Sequence, residues 1–334
     1  MTALYVTDPG SCLQAQNQQF LVLAPQQLHY QVSAKRVDQI LMFGKCDISH
    51  GAANLALTHE IPVSYLCAKG RYFGRLDSAG ATKPKYLAQQ IKCSRQLEFT
   101  RTTAESMIRA TLHNCYTLLV QLNPCQTTAE VQNALQVMAL LMEHLPLASS
   151  HAELQDCANK AANLYFKALG ALLPKAFGFS KRIKRQATDP INSLLNLGYI
   201  LLSQTVYAGV QAGGLEAHLG NWHADRDCCP ALVADLMAEF GALLVDSLVA
   251  DLVISEALTP EDFMEPDEAG GIYLYPYALK MFLKYWEEKL QTTVIHLATR
   301  SHVSYRQCLG LQVQEYAACL MEKERFYRPM LWKP

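Results

Sequence analysis

Hydrophobic positions along this chain follow two periods. Over residues 1–85 they fall in short runs rich in β-branched and aromatic side chains: Leu4–Thr7, Phe20–Leu23, His29–Val32, Val37–Phe43, Pro62–Cys67 and Tyr72–Leu76. Turn-forming Gly, Pro, Asn or Asp bounds these runs, so they are predicted as strands. One stretch, His50–His59, is rich in good helix formers and predicts a helix. Asp77–Pro84 is small, polar and proline-bounded, the composition of a linker. From about Tyr86 the period becomes helical, with candidate helices at residues 86–122, 127–145, 151–170, 190–212, 230–256, 274–289 and 302–322. The pattern predicts an α+β fold: a small β-rich domain, residues 1–85, followed by a larger all-α domain, residues 86–334.

The 334-residue length allows two domains, and an apolar fraction of 50% allows a sizeable core. Lys and Arg (29) nearly balance Asp and Glu (30), for a formal net charge of −1. A uniformly basic nucleic-acid binder is excluded, so any such surface must be local. The densest basic run is Lys181-Arg182-Ile183-Lys184-Arg185, preceded by Lys175. By itself such a run reads as a solvated loop. The eleven cysteines contain no CxxC pair, and the adjacent Cys228-Cys229 cannot build a zinc knuckle alone. They are expected to be small core residues of a chain in a reducing, cytoplasmic compartment. The N-terminus lacks the basic-then-apolar layout of a signal peptide. No apolar run reaches the ~18 residues that indicate a membrane span.

Candidate chemistry is sparse. His223 follows Leu219-Gly220 and opens a polar stretch; alone it reads as a surface or capped histidine. Asp235 and position 238 lie three apart on a predicted helix and share a face, but position 238 is alanine. Glu239 is rotated by ~100° from it and reads as a solvated helix residue.

Taken in order, these segments resemble the CRISPR-associated integrase family, the adaptation nucleases that insert new spacers into a CRISPR array. The resemblance rests on Asp189–Tyr199, Leu219–His223 and Asp235–Phe240. Leu4–Thr7, Gly70–Leu76, Leu258–Phe263, Ser304–Arg306 and Tyr327–Pro329 extend it over nearly the whole chain. Members of that family hold a divalent ion, Mg2+ or Mn2+, with a glutamate, a histidine and a further acid. Ala161, Ala162 and Tyr165 set the register of the glutamate motif, so Ala158 stands where the family has its glutamate. His223 matches the histidine, and Ala238 stands where the family has the last acid.

The resemblance implies metal-assisted attack of a DNA 3′-hydroxyl, or of water, on a phosphodiester. His223 and Asp235 remain as the catalytic candidates. Glu239 is an alternative third ligand only if the helix shifts. The chain is therefore expected to be nearly inactive as it stands. The resemblance also implies a ligand, double-stranded DNA with single-stranded ends, met by Tyr165, Lys181, Arg182, Lys184, Arg185 and Arg306. For Tyr165 the competing reading is a buried helical tyrosine with a structural hydrogen bond. Implied partners are a second copy, joined through the β-rich domain, and a small ferredoxin-like CRISPR adaptation protein. The alternative function is a non-catalytic DNA-binding or scaffolding subunit.

Overall fold

A computed structural model describes residues 2–24, 27–123, 128–223 and 229–333. The first part runs β1 (Thr2–Val6), β2 (Cys12–Gln16), β3 (Gln19–Ala24), β4 (Gln27–Ser33), β5 (Val37–Phe43), β6 (Asp47–Ile48), α1 (His50–Thr58), β7 (Val63–Leu66) and β8 (Tyr72–Leu76). These strands form two sheets, ordered β1-β5-β7-β8 and β4-β3-β2-β6. In the first, β1, β5 and β7 are parallel and β8 is antiparallel to β7. The second is an antiparallel meander with β6 added in parallel to β2. The hydrophobic pattern does not predict β2. Only Leu13 of its five residues is buried, so it carries almost no apolar signal. Asn17 and Gln18 turn it into β3 at φ of 51° and 61°, the left-handed pair that a tight hairpin turn requires.

The second part runs α2 (Pro84–Ser94), α3 (Leu97–Leu122), α4 (Ala129–His144), α5 (His151–Leu172), α6 (Pro190–Gly213), α7 (Ala231–Ala238), α8 (Ser247–Ile254), α9 (Pro276–Gln291), β9 (Thr293–His296), β10 (Ser301–Ser304) and α10 (Tyr305–Leu320). The fold is α+β, a β-rich part followed by a mostly helical one, as the pattern predicts. Three local differences stand out. The helix expected over 86–122 breaks at Arg95–Gln96, where Ser94 Oγ donates to the Ile91 carbonyl at 3.0 Å and Gln96 N to Cys93 O at 2.9 Å. The helix expected over 230–256 divides into α7, a π-helical segment Gly241–Asp246, and α8. The region expected to be all-α also contains the β9–β10 hairpin, so the start of the 302–322 helix is strand.

β5 joins the two parts. Its residues alternate between faces, as a strand requires. Ile40 and Met42 enter the core between the two sheets, with Leu13, Phe20 and Val63. Leu41 and Phe43 enter the core of the helical part. Beside them Gln39 Nε2 donates to Thr205 Oγ1 of α6 at 3.1 Å, and Ser64 Oγ donates to Gln204 Oε1 at 2.7 Å. A parallel strand covered on both faces reads as an unbroken apolar run, which Ile40–Phe43 is.

The nine described cysteines form no disulfide; Cys125 and Cys228 lie outside the described residues. Among the described residues no helix is long and apolar enough to cross a membrane.

Candidate functional site

Three segments build the site. Ser150 starts α5 by accepting from the Glu153 backbone N–H at 3.2 Å. The inner face of α5 carries Leu154, Ala158, Ala161 and Tyr165, and Ala158 is 8% exposed. α7 supplies Asp235, which is fully buried, and ends at the half-buried Ala238. Between them lies the segment Gly220–His223. Trp222 Nε1 donates to Gln155 Oε1 of α5 at 3.0 Å, one turn before Ala158, and the Trp222 and His223 rings stand 4.1 Å apart. Trp222 thus ties this segment to α5, and Asp235 ties His223 to α7.

Asp235 organises that segment. Its Oδ2 accepts the backbone N–H groups of Asn221 at 2.5 Å and Trp222 at 3.1 Å. Its Oδ1 accepts the backbone N–H of His223 at 2.8 Å and lies 3.0 Å from His223 Nδ1. A carboxylate can only accept, so the ring proton sits on Nδ1 and Nε2 carries the lone pair. Gly220 makes the approach possible. A Cβ there would meet Asp235 Oδ2 at 2.9 Å and the Ala231 backbone at 2.8 Å.

The histidine is presented as a proton acceptor or ligand would be, but the donors around it do not suit a hard divalent ion. Both Asp235 oxygens are taken by N–H groups, and Ala158 and Ala238 offer no oxygen. Among the described residues no three His, Cys, Asp or Glu side chains come together. Such an ion needs about six ligands, mostly oxygen. The residues described here therefore do not fit the metal that the resemblance implies. Asp225 and Asp227, which follow His223, lie outside the described residues.

Glu239 overturns an expectation. Instead of being solvated it is 0% exposed. Glu239 still has a helical backbone, φ −68° and ψ −18°, and falls one turn after the buried Asp235, on the inner face of α7. Its Oε1 accepts from Tyr327 Oη and its Oε2 from the Met330 backbone N–H, both at 2.5 Å. Asn114 Nδ2 bridges the Glu239 and Met330 carbonyls at 2.7 and 2.9 Å. Burial pushes the Glu239 carboxyl up to about 8, against the pull of these hydrogen bonds. With both oxygens engaged, it is not a substitute ligand beside His223.

The basic loop is pinned to the start of α6. Asp189 caps that helix, accepting from Asn192 N at 2.8 Å and Asn192 Nδ2 at 2.7 Å. Asn192 in turn donates to the Lys181 carbonyl at 2.8 Å and accepts from Ile183 N at 2.7 Å. Asn196 Nδ2 donates to the Arg185 carbonyl at 3.0 Å. Lys181, Lys184 and Arg185 keep exposed side chains. Arg182 differs from them. Its Nη1 donates to Asn196 Oδ1 at 2.6 Å, Ile183 O at 2.7 Å and Asn192 Oδ1 at 3.1 Å. Its guanidinium faces the Tyr199 and Phe166 rings at 5.3 and 5.9 Å. Burial lowers its pKa from the ordinary value. It packs the interior side of the loop.

Two further expected contacts also point inward. Tyr165 is 1% exposed, and its hydroxyl donates to Asp246 Oδ2 at 2.8 Å. Arg306 Nη2 meets both oxygens of Glu287 at 2.7 and 2.6 Å, with its side chain 8% exposed. Tyr5 Oη donates to the same carboxylate at 2.6 Å, tying β1 to α9 and α10. Asp246, at the end of the π-helical segment, escapes sequence reading. It accepts from Tyr165 and from Tyr199 Oη at 3.1 Å, and burial raises its carboxyl to about 6. The available signal is an acid inside the apolar run Leu243-Leu244-Val245-Asp246-Ser247-Leu248.

Fold and site together define an α+β protein with a histidine-centred site held by Asp235 and a basic loop held to the start of α6. The chain belongs to the Cas1 family: the family profile described as CRISPR associated protein Cas1 matches residues 4–288. This is the family of CRISPR adaptation nucleases that the ordered motifs resemble. The chain is 28% identical over 293 residues to a CRISPR-associated endonuclease Cas1 of Thermus thermophilus, covering 88% of this chain and 85% of that one. It is 24% identical over 315 residues to CRISPR-associated endonuclease Cas1 of Mycobacterium tuberculosis, covering 94% and 92%. It spans 55% of a Cas4/Cas1 fusion from Geobacter sulfurreducens, at 27% identity over 93% of this chain. Among solved structures, a Cas1 protein from Thermotoga maritima matches with a TM-score of 0.83 at 19% identity, covering 98% of this chain and 99% of that one. A Cas6-RT-Cas1–Cas2 complex matches with a TM-score of 0.87 at 22% identity over 99% of this chain and 36% of that one. These structural likenesses concern the fold.

Proposed function

We propose that this chain is a DNA-binding subunit of CRISPR adaptation whose own site is silent, or nearly so, in metal-dependent cleavage and strand joining. One observation carries this reading. Asp235 uses both oxygens to hold the His223 segment, while alanine stands at the two positions that match the family's acids, Ala158 and Ala238. Lys181, Lys184 and Arg185, exposed on a loop locked to α6, are the residues for phosphate contact. The ligand class is duplex DNA with single-stranded ends. The partners are a second copy, through the β-rich part, and a small ferredoxin-like adaptation protein. The relative named as a Cas1–Cas2 assembly and a casposase bound to integration product, which matches with a TM-score of 0.84, support that class of partner and ligand.

The test is gel retention of a short duplex with single-stranded ends, beside nicking of branched DNA in Mn2+ or Mg2+. Retention without nicking is expected. Nicking by the unaltered chain would favour a second reading, an active endonuclease. That reading has its own support in the His223–Asp235 pair, which still presents Nε2 with a lone pair.

A further inference from the structure

Asp246 is 1% exposed, at the end of an apolar helical run, and the site around His223 does not use it. A carboxylate is costly to bury, so its place in the core needs a reason. The backbone supplies part of one. Gly241–Asp246 is π-helical, and in a π-helix a residue and the fifth after it close one turn. Gly241 and Asp246 therefore face the same side, and both meet the Tyr199 hydroxyl. A Cβ at Gly241 would stand 2.8 Å from Tyr199 Oη, while Asp246 Oδ1 and Oδ2 accept from that hydroxyl at 3.1 and 3.3 Å. α6 is drawn close along the same segment, because Gly198 leaves room for Val245 (a Cβ there would lie 2.6 Å from Val245 Cγ1).

Tyr199 meets the basic loop with its ring. The Arg182 guanidinium stands 5.3 Å from the ring centre. The acceptors of Arg182 Nη1, on Asn192, Asn196 and Ile183, are all neutral. Asp189 is close in sequence but spends both oxygens on Asn192. Asp246 is the remaining acid whose charge acts on this cation. Burial raises the Asp246 carboxyl, and the Tyr165 hydroxyl, the Arg182 charge and the Tyr199 hydroxyl each pull it back. A phenol that donates to a carboxylate gains electron density on its ring, which strengthens the pull of the ring on a cation. Asp246, Tyr199 and Arg182 thus form a relay from the core of the helical part to the base of the loop.

We propose that Asp246 is a positioning residue for DNA: through Tyr199 and Arg182 it holds the loop that presents Lys181, Lys184 and Arg185 to phosphate. This rests on the reading of that loop as the DNA contact. Tyr165 Oη, 2.8 Å from Asp246 Oδ2, ties the same carboxylate to α5, so the loop is set relative to the helix that carries Ala158.

Asp246→Asn removes the charge with little change of shape. An asparagine can accept from one tyrosine hydroxyl and donate to the other, so the urea midpoint should change little while Arg182 loses its counter-charge. Brief trypsin digestion of the native full chain reads the loop, with the cuts located by mass. Cutting within residues 181–185 should be about tenfold faster than in the unaltered chain, with no new cuts elsewhere. Retention of a short duplex with single-stranded ends should weaken by about three- to tenfold at every salt concentration with the log–log slope unchanged, because the cations remain and only their placement is lost. Arg182→Ala should speed the same cuts, and Asp246→Asn added to it should speed them no further. Tyr199→Phe keeps the ring but not the hydroxyl; it should raise loop cutting by a smaller factor, and it carries the test if Asp246→Asn does not fold. Loop cutting unchanged in these variants, or effects of Asp246→Asn and Arg182→Ala that simply multiply, would overturn the relay. Cuts spread over the whole chain would overturn it too, by making Asp246 a residue of the fold alone. If the unaltered chain retains no DNA, the DNA-binding reading fails and the phosphate role with it, while the cutting pattern still decides whether Asp246 holds the loop.

Discussion

Asp235 Oδ1 stands 3.0 Å from His223 Nδ1 and 2.8 Å from the backbone nitrogen of the same residue. One carboxylate oxygen thus sets both the ring tautomer of His223 and the path of its backbone. Asp235→Asn replaces an acceptor by an amide facing backbone N–H groups. It should destabilise the fold by about 2–4 kcal/mol. Urea unfolding measures the loss. The histidine ring resonances should shift toward the other tautomer; an unchanged ring and an unchanged midpoint would contradict this account of the site.

Glu239 gives the protein a pH dependence opposite to that of an ordinary acidic surface. Its carboxyl is raised to about 8 by burial, so the folded state holds a proton that the unfolded state releases near the ordinary glutamate value. The stability this proton contributes is complete below that ordinary value. It is lost as pH rises through the folded value. Unfolding free energy should fall between about pH 5 and pH 8, by at most ~1.4 kcal/mol per unit for one proton. Asp246, raised to about 6, adds a slope of the same sign over a lower range. In Glu239→Gln the decline between about pH 6 and pH 8 should flatten. Denaturant melts of both proteins at several pH values provide the comparison.

The basic loop should separate by residue. Replacing Lys181, Lys184 and Arg185 together with alanine should lower the log–log salt slope of DNA binding by about 0.7–0.9 for each phosphate the loop no longer neutralises. Arg182→Ala should instead cost stability, roughly 2–3 kcal/mol, because its guanidinium holds Asn192, Asn196 and the Ile183 carbonyl. A salt slope unaltered by the triple substitution would make the loop a solvated feature and no more.

Restoring carboxylates should restore chemistry. Ala158→Glu with Ala238→Glu is expected to yield Mn2+-dependent nicking of branched DNA above the background of the unaltered chain. Isothermal titration with Mn2+ gives a second readout. If both remain silent, the site lacks more than these two acids.

The β-rich part is the proposed contact between copies. Its strand β4 shows Leu28 and Tyr30, each 52% exposed. The full chain should sediment as a dimer, and Leu28→Glu with Tyr30→Glu should shift it toward the monomer. A dimer insensitive to both changes would place the contact elsewhere.

Local pattern decides which parts of this structure are legible in the sequence. Ile40–Phe43 reads as a buried strand because β-branched and long apolar residues succeed one another. The 190–212 helix reads from its apolar period, and the structure starts it at Pro190 with Asp189 as its cap. Cys12–Gln16 is silent, since a strand with one buried residue has no period to detect. Thr293–His296 and Ser301–Ser304 hide in helical surroundings, although their alternation is there to be seen. Glu239 looks solvated on its helix because its burial is decided by Tyr327, 88 residues away, and no helical wheel contains that residue. Arg182 and Arg306 look like surface cations for the same reason. Their partners, Asn196 and Glu287, become neighbours only once α6, α9 and α10 have packed.

β5 carries one more implication, for how this chain tolerates change in length. Its even-numbered residues Ile40 and Met42 belong to one core and its odd-numbered residues Leu41 and Phe43 to another. Inserting or deleting a single residue here would exchange the two sets and misplace both at once. Surface loops can absorb such events, because nothing behind them depends on phase. This strand sets the phase for both halves of the molecule, so a deletion scan should find it among the least forgiving stretches of the sequence.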